Sequence, residues 1–317
     1  MSFIRQTKRK GIRNNRSIYR TKTVVQKFTL HEMFEKFMNY KVTEGLAEPT
    51  IQCYYEHFHY LNEYLQGDLS NEEVNLETFR GYIGYMLNEK KLAPTTANVR
   101  IRTIRAFLKY CYQESWIEEP IFERFKPVKT PEDEIESSTP SEIKSLLNQI
   151  DNTRYVGFRD KVMIYTLLDT MVRISELLNI KRSNVDVSAG QIKLEPHKTK
   201  TKRARTVPIS LKTSKLLKEY LKETEDFGDE ILFLTYDGRP IESNTWRRRL
   251  TEYGQNTGIT NKRVTPHVFR HTGALFYIMN GGDPFSLQKI LGHTDMSMVR
   301  RYIQMTDTDV KKLVCQH

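Results

Sequence analysis

Cysteine is scarce: Cys53, Cys111 and Cys315 are the only three in 317 residues, far apart and with no C-x-x-C pair. This argues against a disulfide framework or a zinc-thiolate site, and makes a reducing cytoplasm the expected compartment. Mean hydropathy is −0.60, and no run approaches the roughly 18 apolar residues that a membrane span requires. The N-terminus opens on polar and basic residues, so no signal peptide is expected. No internal repeat is visible. Acids are absent from residues 1–28, which hold Arg5, Lys8, Arg9, Lys10, Arg13, Arg16, Arg20, Lys22 and Lys27. A block of one sign repels itself until it meets counter-charge. This segment reads as an arm that tracks DNA, with a solubilising tail or a piece docking on a neighbouring subunit as the alternatives.

What is present begins with charge. Fifty Lys and Arg face 39 Asp and Glu, a formal net charge of +11. Such a surplus favours a polyanionic partner, and nucleic acid before a membrane surface, since no segment combines a basic face with a broad apolar one. The length fits two domains with two modest cores.

Residues 29–125 read as helices. Leu30, Met33, Phe34, Phe37 and Met38 recur at helical spacing, and so do Ile51, Tyr54, Tyr55, Phe58, Leu61 and Leu65. A third helix follows Asn75. A fourth opens at Pro94, with Ala97, Ile101, Ile104, Leu108 and Cys111 inward. Asn98, Arg102, Arg105 and Lys109 line up on its other side without interspersed acids, so they are expected to face DNA. Residues 126–138 are rich in Pro, acid and Ser and read as a linker. Thr139-Pro140-Ser141-Glu142 is a capping box that opens the second domain, 139–317. A long helix is expected from about Arg159 to Ile180. Strand signals lie only in 190–210, a hairpin with a basic turn, and around 231–236. The expected fold is therefore mainly α with a small antiparallel β-sheet.

Four segments are dense in chemistry: TMVRISELLNI with Arg173; the hairpin with Lys198, Lys200, Lys202, Arg203 and Arg205; TPHVFRHTGALF with His267, Arg270 and His271; and LGHTDMSMVRRYI with His293 and Tyr302. Singly, each has a plain reading. Arg173 pairs with an acid such as Glu176, and the lysines solvate a turn. His267 and His271, four apart, resemble a metal pair, but no Glu follows the first and no third ligand is apparent, so no metal is expected. Together they suit one substrate, a phosphodiester. Arginine forks match phosphate oxygens and stabilise a pentavalent transition state. Tyrosine attacks phosphorus once a base or field assists it, and histidines move protons near neutral pH. No cofactor is called for.

These segments resemble, in order and spacing, those of tyrosine recombinases and phage integrases. TPHVFRH is similar to their His-x-x-Arg-His box, and LGHTDMSMVRRYI to their Leu-Gly-His box, with Tyr302 nine residues after His293. TMVRISELLNI is similar to their first arginine box, HKTKTKRARTVPIS to their lysine hairpin, and PTTANVRIRTIRAFLKYCYQ to the last helices of their core-binding domain. The resemblance implies a helical core-binding domain and a mixed catalytic domain closing as a C-shaped clamp on double-stranded DNA. It implies that Arg173 and Arg270 clamp the scissile phosphate and that His267 and His293 bond it and assist proton transfer. By the same resemblance Tyr302 would become a 3′-phosphotyrosine and Lys200 would protonate the 5′-oxygen, with Lys198 and Lys202 as its nearest rivals. Lys198, Lys202 and Arg203 are also expected on DNA. It further implies a homo-tetramer on DNA, no energy cofactor, and accessory bending or directionality factors. The family usually carries Gly two residues before the first arginine, where this chain has Met171. Glycine there allows an unusual dihedral or close approach, so Met171 is expected to disturb Arg173. That departure keeps open a DNA-binding transcriptional regulator that does not recombine. A type I topoisomerase shares the chemistry but needs neither arm nor core-binding domain.

Overall fold

The computed structural model describes residues 27–131, 135–196, 204–292 and 295–314, without the side chains of 307–314. The chain divides into two compact units between residues 132 and 133. Nearly all of the 1–28 segment, and with it the expected arm, lies outside the described residues.

In the first unit, Thr29 and Glu32 form a capping box that opens α1 (Leu30–Thr43). α2 (Glu48–Leu65) carries Pro49 in its first turn, and α4 (Pro94–Gln113) opens at a proline. Between them α3 (Leu76–Gly84), capped by Asn75, runs on into a π-helical turn over Tyr85–Glu89. The short α5 (Ile121–Arg124) follows. The apolar stripes meet in an aromatic core, where Phe34 stacks on Phe58 at 3.8 Å and meets Phe107 edge-on. The fourth-helix stripe splits. Arg102 and Lys109 are exposed. Arg105 is half-buried, and its Nε donates to the Phe122 carbonyl at 2.9 Å. Asn98 is buried, contrary to expectation: its amide donates to the Val128 carbonyl at 2.8 Å and accepts from the Val128 N–H at 2.7 Å. A polar residue on the outer helix face was needed to satisfy the backbone that leaves the unit.

The second unit opens with α6 (Pro140–Gln149) behind the Thr139–Glu142 capping box. α7 (Tyr155–Thr170) is buried on most sides. The expected long helix stops there, because Met171 takes a left-handed conformation (φ 51, ψ 29) and caps α7. The chain then extends through Arg173 into α8 (Ile174–Leu177). β1 (Val185–Asp186), β2 (Gln191–Leu194) and β3 (Arg205–Pro208) form an antiparallel sheet in that order, with Ile192 opposite Val207 and Leu194 opposite Arg205. β1 was not anticipated. The 231–236 stretch makes only isolated bridges, from Ile231 and Leu234. Its Leu232, Phe233 and Leu234 are buried, and its backbone bonds to Ile180 and to the Tyr155 and Arg159 side chains, so it fills core as an irregular segment. α9 (Leu211–Glu223), α10 (Ser243–Asn256), α11 (Pro266–Met279), α12 (Pro284–Leu291) and α13 (Ser297–Val314) complete the unit. α11 packs hard on α7: a Cβ at Gly273 would lie 2.2 Å from the Leu168 carbonyl oxygen. Tyr302 lies inside α13, which continues past it to Val314. No helix among the described residues is long and apolar enough to cross a membrane.

Candidate active site

Arg173 occupies the N-cap position of α8, where its backbone N–H donates to Glu176 Oε2 at 2.8 Å. Its guanidinium stands 3.6 Å from Glu176 Oε1. Glu176 is buried and is held bidentately by Arg205, at 2.8 and 2.9 Å. Burial alone would raise the Glu176 pKa, but the Arg205 bonds, the Arg173 N–H and both guanidinium charges outweigh it and hold the carboxyl below its ordinary range. The acid therefore stays ionised and orients two arginines at once.

Arg205 also donates from Nε to the Ile290 carbonyl, at 2.9 Å, near the end of α12. Gly292 closes that helix at φ 66, and the Arg205 guanidinium passes 3.1 Å from where a Cβ would sit. Only glycine suits both the dihedral and the close approach. Arg270, on α11, is buried and donates to the carbonyls of Met171 and Leu291. One guanidinium thus ties together the end of α7, the body of α11 and the end of α12. Burial, and then the charge of Arg173, push its pKa down to about 10. It is still a cation at neutral pH.

His267 lies at the second residue of α11 with an exposed side chain. Lost hydration, then the charges of Arg247, Arg270 and Arg173, lower its pKa. Its imidazole is therefore neutral at pH 7, a form able to accept a proton. Tyr302 is fully buried, and its hydroxyl lies 2.6 Å from His271 Nδ1. Burial raises the phenol's pKa, against the nearby charges of Arg270 and Arg301.

Four of the six expected catalytic residues are described. Arg173, Arg270 and His267 share one electrostatic neighbourhood, and Tyr302 lies in the field of Arg270. Lys200 and His293 lie outside the described residues, as do Lys198, Lys202 and Arg203. Three residues without an assigned role prove central: Glu176, Arg205 and His271. Glu176 had a visible signal, three residues after Arg173 and so within reach across a helical turn. Arg205 and His271 belonged to dense segments, but their partners are distant in sequence. No group of three or more His, Cys, Asp or Glu able to hold a metal occurs among the described residues.

Residues 136–309 match the profile of the phage integrase family, and residues 29–127 that of the phage integrase SAM-like domain. The chain is similar to a tyrosine recombinase XerD of Listeria monocytogenes serovar 1/2a, 24% identical over 299 residues, with 90% of this chain and 98% of that one covered. A tyrosine recombinase XerA of Thermococcus kodakarensis is 29% identical over 287 residues, covering 89% and 94%. Among solved structures, that of the Tn1549 transposon integrase in complex with transposon right end DNA has a TM-score of 0.74 at 19% identity. It covers 90% of this chain and 100% of that one, a likeness of fold.

Proposed function

This chain belongs to the phage integrase family of tyrosine recombinases, and from that membership and its site we propose that it cuts and rejoins double-stranded DNA at a specific site through a 3′-phosphotyrosine at Tyr302. The observation that carries the reading is the placement of the Tyr302 hydroxyl, buried against a histidine and in the field of Arg270. Arg270 and Arg173 offer planar donors to two non-bridging oxygens of one phosphate. Two backbone carbonyls hold the Arg270 plane, and Glu176 orients Arg173, so little reorganisation is needed as charge develops. Neutral His267 takes a place beside that phosphate, and Lys200 the role of acid to the 5′-oxygen. The energy of the phosphodiester is retained in the tyrosyl ester, so rejoining needs no nucleotide.

Met171 does not argue for a non-recombining regulator, because it takes the left-handed conformation itself and its carbonyl holds Arg270. The finer reading is an integrase or resolvase of a phage or other mobile element, assembling as a tetramer on DNA. Joining of two separate molecules would mark an integrase; exclusive deletion between sites on one plasmid would mark a resolvase.

The test is a nicked suicide duplex carrying the site that the protein selects from random DNA. Wild type should accumulate a covalent adduct. Tyr302→Phe should bind the duplex with similar affinity, lose about 1–3 kcal/mol of stability through loss of the hydrogen bond to His271 Nδ1, and drop adduct formation by several orders of magnitude. Tight binding without adduct from wild type would hand the reading to a regulator. Full activity of Tyr302→Phe would move the nucleophile elsewhere, with Tyr277 next in line.

A further inference from the structure

We infer that His271 is the proton acceptor for the attacking hydroxyl of Tyr302. The inference rests on Tyr302 being the nucleophile and adds a base that the sequence reading left without a role. His271 follows Arg270 directly on α11 and sits one helical turn beyond His267. α13 packs across α11, which brings the Tyr302 hydroxyl to 2.6 Å from Nδ1 with the two rings tilted at 48°. With the hydrogen on Nε2, the phenol donates along a short O–H···N bond and the ring lone pair faces the reacting oxygen. That geometry meets the reach required of a general base. His267 shows no such contact; it stands exposed among three arginines, where a phosphate suits it better than a phenol.

The chemistry needs such a group. A phenol with a reference pKa of about 10 is ionised in roughly one molecule in 300 at pH 7.5. Burial makes that fraction smaller here. In the step, the Tyr302 oxygen forms a bond to phosphorus while its proton passes to His271 Nδ1. The bond from phosphorus to O5′ breaks, its electron pair leaves on O5′, and the general acid assigned to Lys200 protonates that oxygen. On rejoining, the 5′-hydroxyl attacks and gives its proton back to the neutral amine of the general acid assigned to Lys200, and the imidazolium returns its proton to the departing tyrosyl oxygen. One side chain serves both directions, as microscopic reversibility demands.

The test uses the full chain and two suicide duplexes of the selected sequence. One carries an ordinary 5′-oxygen at the scissile phosphate; the other carries a 5′-bridging sulfur, which leaves without a proton. His271→Asn keeps an acceptor near the hydroxyl but cannot take a proton, and His271→Ala removes both. Both variants should bind DNA as wild type does. Adduct formation by His271→Asn should fall about 100-fold on both duplexes, within the usual range for a general base. Its rate should also climb about tenfold per pH unit to beyond pH 9, as unassisted tyrosine ionisation dictates. The role is overturned if His271→Asn matches wild type at neutral pH, or if the sulfur leaving group erases the defect, which would place His271 at the other end of the reaction. Adduct formation by Tyr302→Phe in the same assay would instead remove the nucleophile reading, a separate and recognisable failure.

Discussion

Met171 holds a backbone conformation that suits glycine. Its φ of 51 and ψ of 29 put Cβ near the following carbonyl oxygen, at a cost of about 1–2 kcal/mol. Burial of the side chain offsets that cost. The side chain is 4% exposed and packs against Gly273, with Cγ 3.1 Å from the point where a Cβ there would lie. Deleting a buried methionine side chain typically costs about 2–5 kcal/mol. The carbonyl that holds Arg270 belongs to the backbone and is present whatever the side chain. The larger effect is therefore packing, and glycine is not the better residue here. Met171→Gly is expected to lower stability by about 1–2 kcal/mol net, and to leave the adduct rate no higher. Denaturant unfolding beside the suicide-substrate assay checks both; a more stable or more active variant would mean that strain, not packing, governs the position.

At the scale of elements, α4 shows how one helix divides its labour. Asn98 serves the chain that leaves the first unit, while Arg102 and Lys109 are left to solvent. Asn98→Ala should strip both partners from the Val128 backbone and cost about 1–3 kcal/mol of stability, with sequence preference unchanged. Arg102→Ala should leave stability alone and cost about 1–3 kcal/mol in specific binding if it meets a base edge. Melting curves and a competition assay with random DNA separate the two; relaxed specificity in Asn98→Ala would reverse the assignment. The split was illegible in sequence because periodicity names a face but not what crosses it. The capping box at Thr139 was of the opposite kind, since donor and acceptor lie three residues apart and need no tertiary partner. The chemical segments were legible as types and spacings. The links that build the site were not: Arg205 reaches Glu176 across 29 residues and His271 reaches Tyr302 across 31, and nothing local announces either. The left-handed turn at Met171 had no local signal, because a methionine in an apolar helical pattern does not mark a stop; only the glycine usual there in the resembled family pointed to an unusual dihedral.

At the scale of the whole molecule, charge is unevenly shared. Residues 1–28 contain nine Lys and Arg and no acid, against a net charge of +11 for the chain. The remaining 289 residues therefore carry a net charge of only +2. Several of their cations are engaged inside the fold: Arg159 and Arg249 meet Asp160, Arg205 meets Glu176 and Lys262 meets Glu142. A duplex presents one negative charge per 1.7 Å or so of axis, and each phosphate neutralised contributes about 0.9 to the slope of log K against log salt. We therefore assign to the first 28 residues a large share of the electrostatic part of DNA binding, with the rest of the chain supplying shape and sequence. Deleting them should flatten the slope by several units and weaken specific and random DNA alike, while the specificity ratio holds, since phosphate contacts position without reading bases. Binding isotherms from 50 to 300 mM salt on both kinds of duplex test it. An unchanged slope would mean that the arm does not touch DNA. If loss of the arm also broke apart assemblies on DNA, its basic residues would instead be docking on a neighbouring subunit.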